Sequence, residues 1–177
     1  DAVTALCGGP GCRVVVWLHG RRHVSAEPAR DGDHAAQRDP PAGIVIHSGE
    51  SGADLADAAL RMPISYHFAW DKVPGEPGRF AQLVRLRRRA WHAGVEGNDW
   101  IGIALSGPWD QNPRQPEERE AFRRLVAELV QALPSVRYWT RHSDITRGKK
   151  DPGPGVTADW LAGLGLTWKR GPLGWGR

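Results

Sequence analysis

No apolar run in this sequence approaches the roughly 20 residues that a membrane-spanning helix needs. The longest, VVVWL at 14–18, stops at His19, so no membrane insertion is expected. Cysteine is nearly absent: Cys7 and Cys12, both in CGGPGC, are the two in 177 residues. That scarcity excludes a disulfide-dense scaffold, and the spacing is not that of a zinc knuckle. It fits either a small disulfide loop, which would place the chain in an oxidising compartment, or two free thiols. Met62 is the single methionine and the first residue is Asp1, so an N-terminal segment is expected to have been removed. Tyrosine and phenylalanine are scarce (2 and 3), whereas tryptophan is abundant at 9. Indoles in such excess suit a sugar or peptide groove as well as a core.

Charge of neither sign dominates. The formal net charge of +4 suits a polyanionic neighbour such as nucleic acid, an acidic cell wall or a membrane surface. The one dense basic run, RLRRRAWH at 85–92, comes with no recognition motif and reads as a solvated face, so no nucleic-acid partner is expected. There is no internal repeat and no linker that would split the chain, whose length fits one domain.

The apolar stretches give an α/β order. RVVVWLHG (13–20) and IVIH (44–47) read as buried strands separated by a long polar loop rich in proline and glycine. ADLADAALR (53–61) reads as a helix. SYHFAWD (65–71) and RFAQLVRL (79–86) read as strands joined by the turn KVPGEPG. WIGIALSG (100–107) is a further strand. The helix at 116–133 opens on Pro116, carries acids in its first turn, and aligns Phe122, Leu125, Val126, Leu129, Val130 and Leu133 on one face. Pro134 stops it. VRYWTRH (136–142) closes the sheet, and a short helix is expected at 158–164. The fold class is therefore α/β: a single domain with a mixed central β-sheet flanked by helices. Residues 1–42 are read as an extension with one strand and a long loop packed on the domain, 43–170 as the domain itself, and 171–177 as a loose tail.

Two chemistries compete for GIVIHSGESGADL. Gly49, Ser51 and Ala53 make an imperfect nucleophile elbow. A serine hydrolase of that type needs several parallel strands with crossover helices after the elbow, and only one long helix follows. Alternatively, His47 at a strand end offers an imidazole to a metal, with His142 at the end of another strand and Asp151 nine residues on in a Pro-Gly turn. Two imidazoles and a carboxylate would leave the fourth position that catalytic zinc requires.

Four stretches in order resemble the zinc-dependent N-acetylmuramoyl-L-alanine amidases, a superfamily that includes phage amidases and the peptidoglycan recognition proteins. They are IVIH, SYHF, AWHAG…NDWIGIALSG and RHSDITRGKKDPGPG, covering about 44–155. The resemblance implies that fold, with zinc held by His47, His142 and Asp151. It also implies hydrolysis of the amide between N-acetylmuramic acid and L-alanine of peptidoglycan. Lys149 takes the place of the family's catalytic lysine when counted back from Asp151; counting forward from His142 points to Lys150 instead. Tyr66 corresponds to the tyrosine of the phage-type members. His92 matches a recurrent histidine that is not a ligand and is assigned to substrate contact or to support behind a ligand. Ala104 departs from the pattern: many relatives, among them the muropeptide-recycling amidases, carry a catalytic glutamate there, whereas the phage-type branch relies on tyrosine and lysine. The rival reading is a muropeptide-binding module without catalysis. The implied partner is a peptidoglycan or muropeptide substrate, met at the cell wall after secretion, export or phage release, by a monomer.

Overall fold

The computed structural model describes residues 16–18, 21–23, 39–49, 65–72, 75, 78–86, 88–107, 115–171 and 173. Strands β1 (Val16–Leu18) and β2 (Arg21–His23) pair antiparallel as a separate ribbon. The polar stretch read as a loop thus begins with three residues that fold back on β1. Strand β1 lies close to residues 79–82, an edge strand of the main sheet.

That main sheet has six strands: β3 (Gly43–Ser48), β4 (Phe68–Asp71), β5 (Arg79–Gln82), β6 (Ile101–Leu105), β7 (Tyr138–Arg141) and β8 (Thr167–Trp168). Their spatial order is β5-β4-β6-β3-β7-β8. All neighbours run parallel except β5, which returns antiparallel from β4 at one edge. A mixed sheet is therefore what forms. Strand β3 is central and flanked by parallel partners, so both its faces are covered. That is why GIVIHS reads as a continuous apolar run with no polar alternation until the histidine.

The two faces differ in what they bury. Ile44 and Ile46 of β3, Ile101, Ile103 and Leu105 of β6, and Trp139 of β7 point to one side. There they meet Phe122, Val126 and Leu129 of α2 (Pro116–Ala132), together with Trp160. Val45 points to the opposite side with Ala93, Trp100 and Leu173. The short helix α1 (Gly94–Gly97) precedes β6 on that side, and His47, one pleat beyond Val45, shares its face.

Helix α2 ends at Ala132, two residues before Pro134, which cannot continue it. Its first-turn acids do more than complement the helix dipole. Glu118 is buried and accepts from Ser106 N–H at 2.6 Å, tying the helix to the end of β6. Glu117 accepts from Gly78 N–H at 2.6 Å and from Lys72 at 2.9 Å, tying it to the β4–β5 connection. Four of the tryptophans (Trp70, Trp100, Trp139, Trp160) are core residues, whereas Trp91 is exposed.

Candidate metal centre

In a parallel sheet the strand carboxyl ends form the natural crevice, because the chain leaves each strand there through loops free to vary. His47 is the fifth residue of β3. Strand β7 ends at Arg141, so His142 does not close it but opens a one-turn helix, α3 (His142–Ile145). The turn swings His142 inward over the end of β3, and the two imidazole centroids lie 4.5 Å apart. Asp144 holds α3 in place. Its carboxylate accepts from the Arg141 guanidinium at 2.9 and 3.0 Å and from Trp168 Nε1 at 2.9 Å. Asp144 is therefore a brace.

The loop after α3 carries the third group. Gly148 adopts a positive φ of 83° and Gly153 one of 88°, the left-handed conformation that glycine takes without a Cβ penalty. The carbonyl of Asp151 accepts from Ser143 N–H at 2.9 Å, which pins the loop to the start of α3. The Asp151 carboxylate then lies 3.1 Å from His142 Nδ1 through both oxygens and 3.2 Å from His47 Nδ1. One ligand atom from each of His47, His142 and Asp151 lies within 4.8 Å of the others. Residues 104 positions apart in the chain thus converge on one point.

The electrostatics suit a cation. Burial, the largest influence on His47, lowers its pKa to about 4, and the neighbouring His142 acts in the same direction. His47 is thus a neutral imidazole at neutral pH, the form that binds metal. Burial works to raise the Asp151 carboxyl, but the facing His142 and His47 imidazoles outweigh it and hold it well below the usual carboxylate range. Two nitrogen donors and one anionic oxygen match the donor set of a catalytic zinc site with an open position.

These shifts have a consequence for the metal-free protein. An unfolded histidine titrates near 6.5 and folded His47 near 4, so between those values the unfolded chain binds more protons. Stability should fall as pH drops from about 6.5 to 4, by up to about 3 kcal/mol from this residue. The depressed Asp151 adds a further loss below about 4. Melting temperatures of chelator-treated protein across pH 4–7 should fall towards the acid end; a flat profile would contradict the burial of a neutral His47.

Tyr66, His92 and Lys149 surround the cluster at different depths. The Tyr66 ring lies 5.2 Å from that of His47. Burial, aided by the Asp151 charge, raises its pKa, so the phenol keeps its proton and remains a donor. His92 is buried behind His47, with both ring nitrogens engaged by the protein: His47 Nε2 at 2.9 Å and the Trp100 carbonyl at 3.1 Å. Of the two roles expected of His92, substrate contact and support behind a ligand, this placement suits the second. Lys149 and Lys150 are both exposed on the loop. The Lys149 charge bears on His47. Ala104 is the register partner of His47 across β3 and β6 and is fully buried. Strand β6 therefore supplies no acid beside the cluster.

Some participants were not named from the sequence. His67 is completely buried, accepts from Gly102 N–H at 3.0 Å and donates to the Arg88 carbonyl at 2.8 Å. Gly102 lies against the His92 ring. A glycine between two isoleucines inside a buried strand is the available signal, since such glycines mark close approach. Ser51 and Ala53 of the nucleophile-elbow reading, the helix read at 53–61 and both cysteines lie outside the described residues.

The family model for N-acetylmuramoyl-L-alanine amidases matches residues 37–154, a span that includes all three candidate ligands. The chain is 32% identical to the 1,6-anhydro-N-acetylmuramyl-L-alanine amidase AmpD of Enterobacter cloacae, over 81% of this chain and 88% of that protein. A crystal structure of a selenomethionine AmpD derivative superposes with a TM-score of 0.63 at 23% identity, covering 77% of this chain and 92% of that one. The Ph2119 endolysin of a Thermus scotoductus bacteriophage shares the fold at a TM-score of 0.57 and 22% identity, over 76% and 90%. With the fold, the converging triad and the matched span in agreement, the chain belongs to the N-acetylmuramoyl-L-alanine amidase family.

Proposed function

We propose that this protein is a zinc-dependent amidase that hydrolyses the bond between the lactyl carbonyl of N-acetylmuramic acid and L-alanine in peptidoglycan or a muropeptide. The observation that carries the reading is the convergence of His47, His142 and Asp151 within 4.8 Å at the carboxyl ends of β3 and β7. Zinc held by these residues would supply Lewis acidity, which makes a water nucleophilic near neutral pH and polarises a carbonyl. The remaining work falls to the side chains around it. Tyr66, kept protonated, can donate to the attacking water or to the developing oxyanion. Lys149 on the exposed rim places a positive charge where negative charge grows. Asp151, held ionised, balances the cation.

Tyr66→Phe should leave zinc content unchanged and lower turnover about 10- to 100-fold, the equivalent of one hydrogen bond to a charged group. Unchanged turnover would remove the hydroxyl from the mechanism.

The alanine at 104 favours a second reading, a muropeptide-binding module with little catalysis, because the β6 position beside His47 carries no acid. One experiment separates the two. Purified protein is assayed for zinc, then incubated with defined muropeptides before and after chelation, with products identified by mass spectrometry. Free stem peptide beginning at L-alanine, lost on chelation and restored by zinc, is expected. Stoichiometric zinc with intact substrate would leave the binding module as the function. The same assay on polymeric walls distinguishes wall from fragment preference, and size-exclusion chromatography should return a monomer.

A further inference from the structure

The groups behind His47 determine which of its nitrogens faces the cluster. A backbone carbonyl can only accept a hydrogen bond. The Trp100 carbonyl lies 3.1 Å from His92 Nε2, so that nitrogen carries the hydrogen. In a neutral imidazole the other nitrogen is then a bare acceptor. His92 Nδ1 lies 2.9 Å from His47 Nε2, so His47 donates to it and its single hydrogen is used there. His47 Nδ1 is left as a lone pair directed at Asp151 Oδ2, 3.2 Å away. A lone pair facing a carboxylate oxygen at that distance is repulsive, and a shared cation reverses the sign.

His92 is itself held on every side. A Cβ on Gly102 would stand 2.7 Å from Cγ and Cδ2 of the His92 ring, so the bare backbone of β6 is what admits the ring. His67 packs edge-on at a centroid distance of 6.0 Å. The backbone N–H groups of His92 and Ala93 both donate to Asn98 Oδ1, at 2.9 and 3.0 Å.

We propose that His92 is a positioning residue for the metal: through the chain Trp100 carbonyl–His92–His47 it locks His47 in the Nε2–H tautomer and presents Nδ1 as the ligand atom. Gly102 belongs to the same device, because it makes room for the ring. A carboxylate or carbonyl commonly orients a metal-binding histidine from behind; here a second histidine relays the backbone carbonyl's instruction. This rests on the zinc reading above.

The test compares His92→Asn with His92→Gln. Asparagine places its Oδ1 near the position of His92 Nδ1 and keeps an acceptor for His47. Glutamine extends its amide towards the Trp100 carbonyl and leaves His47 Nε2 without one. Zinc affinity is read by competition with a chromophoric chelator, and the tautomer by ¹⁵N NMR of His47 in the zinc-loaded wild type. Wild type should show His47 protonated at Nε2 with zinc on Nδ1. His92→Asn should bind zinc nearly as tightly as wild type. His92→Gln and Gly102→Ala should bind about 10- to 100-fold more weakly. Equal affinities for the asparagine and glutamine variants, or zinc on His47 Nε2, would overturn the proposal. Should either variant fail to fold, the wild-type spectrum decides alone. A wild type that takes up no zinc would defeat the metal reading and this inference together, whereas a zinc-loaded wild type matched by His92→Gln would defeat the inference alone.

Discussion

His142→Ala should give a folded protein that retains no zinc through purification and hydrolyses muropeptide no faster than background. Removing His142 leaves two ligands, His47 and Asp151, where a catalytic zinc site uses three. The loss should exceed the roughly 10- to 100-fold that removal of a supporting partner costs. The fold should survive. Helix α3 is held by the Asp144 contacts to Arg141 and Trp168 and by the Ser143–Asp151 backbone bond, none of which uses the imidazole. Metal analysis, circular dichroism and the muropeptide assay together check this, and undiminished hydrolysis in a folded variant would sink the site assignment. Asp151 loses two imidazole-facing contacts in that variant, one through each oxygen. Its carboxyl should therefore titrate closer to the ordinary range.

Lys149→Ala should keep its zinc and lose turnover by about 10² to 10³, the usual effect of removing one group that stabilises an oxyanion. Lys150→Ala should do much less. The distinction rests on the loop's geometry. Gly148 turns the chain with a positive φ immediately before the two lysines, and Lys149 N–H donates to the Thr146 carbonyl at 3.2 Å. The Lys150 carbonyl instead accepts from Gly153 N–H at 3.0 Å, closing the turn that carries Asp151. The Lys149 charge reaches His47. Kinetics with one defined muropeptide, alongside zinc content, would rank the variants. A reversed order would assign the role to Lys150.

Much of the fold is legible in the sequence because it depends on short-range pattern. Helix α2 follows from its proline, its acids and an apolar face at helical spacing, and it forms within one residue of the expected end. The buried strands follow from β-branched runs. The errors fall where the pattern is shortest. RFAQLVRL reads as eight strand residues, but pairing ends at Gln82, where Leu83 N–H is already bonded to His67 outside the ladder. His142 reads as the last residue of a strand and is instead the first of α3. An apolar run ending in a histidine looks the same either way; the Arg141–Asp144 pairing decides it. Glu117 and Glu118 read as dipole partners, and nothing local indicates that they would dock on Gly78 and Ser106.

The sequence alone determined the candidate ligand types, the α/β class and the likeness to a zinc amidase, because each is written in residue identities, local periodicity or ordered motifs. Tertiary structure alone decided what those residues do to one another. The separation of His47 from Asp151 depends on β3 and β7 lying side by side in parallel and on a loop pinned by Ser143. The placement of Lys149 and Lys150 on the rim depends on where one glycine turns the chain. The placement of His92 depends on a carbonyl in Trp100 and a missing side chain at Gly102. Hydrogen-bond direction, burial and the pKa shifts they cause are properties of groups brought together across the sheet. A one-dimensional pattern carries the identities of such groups but not their distances.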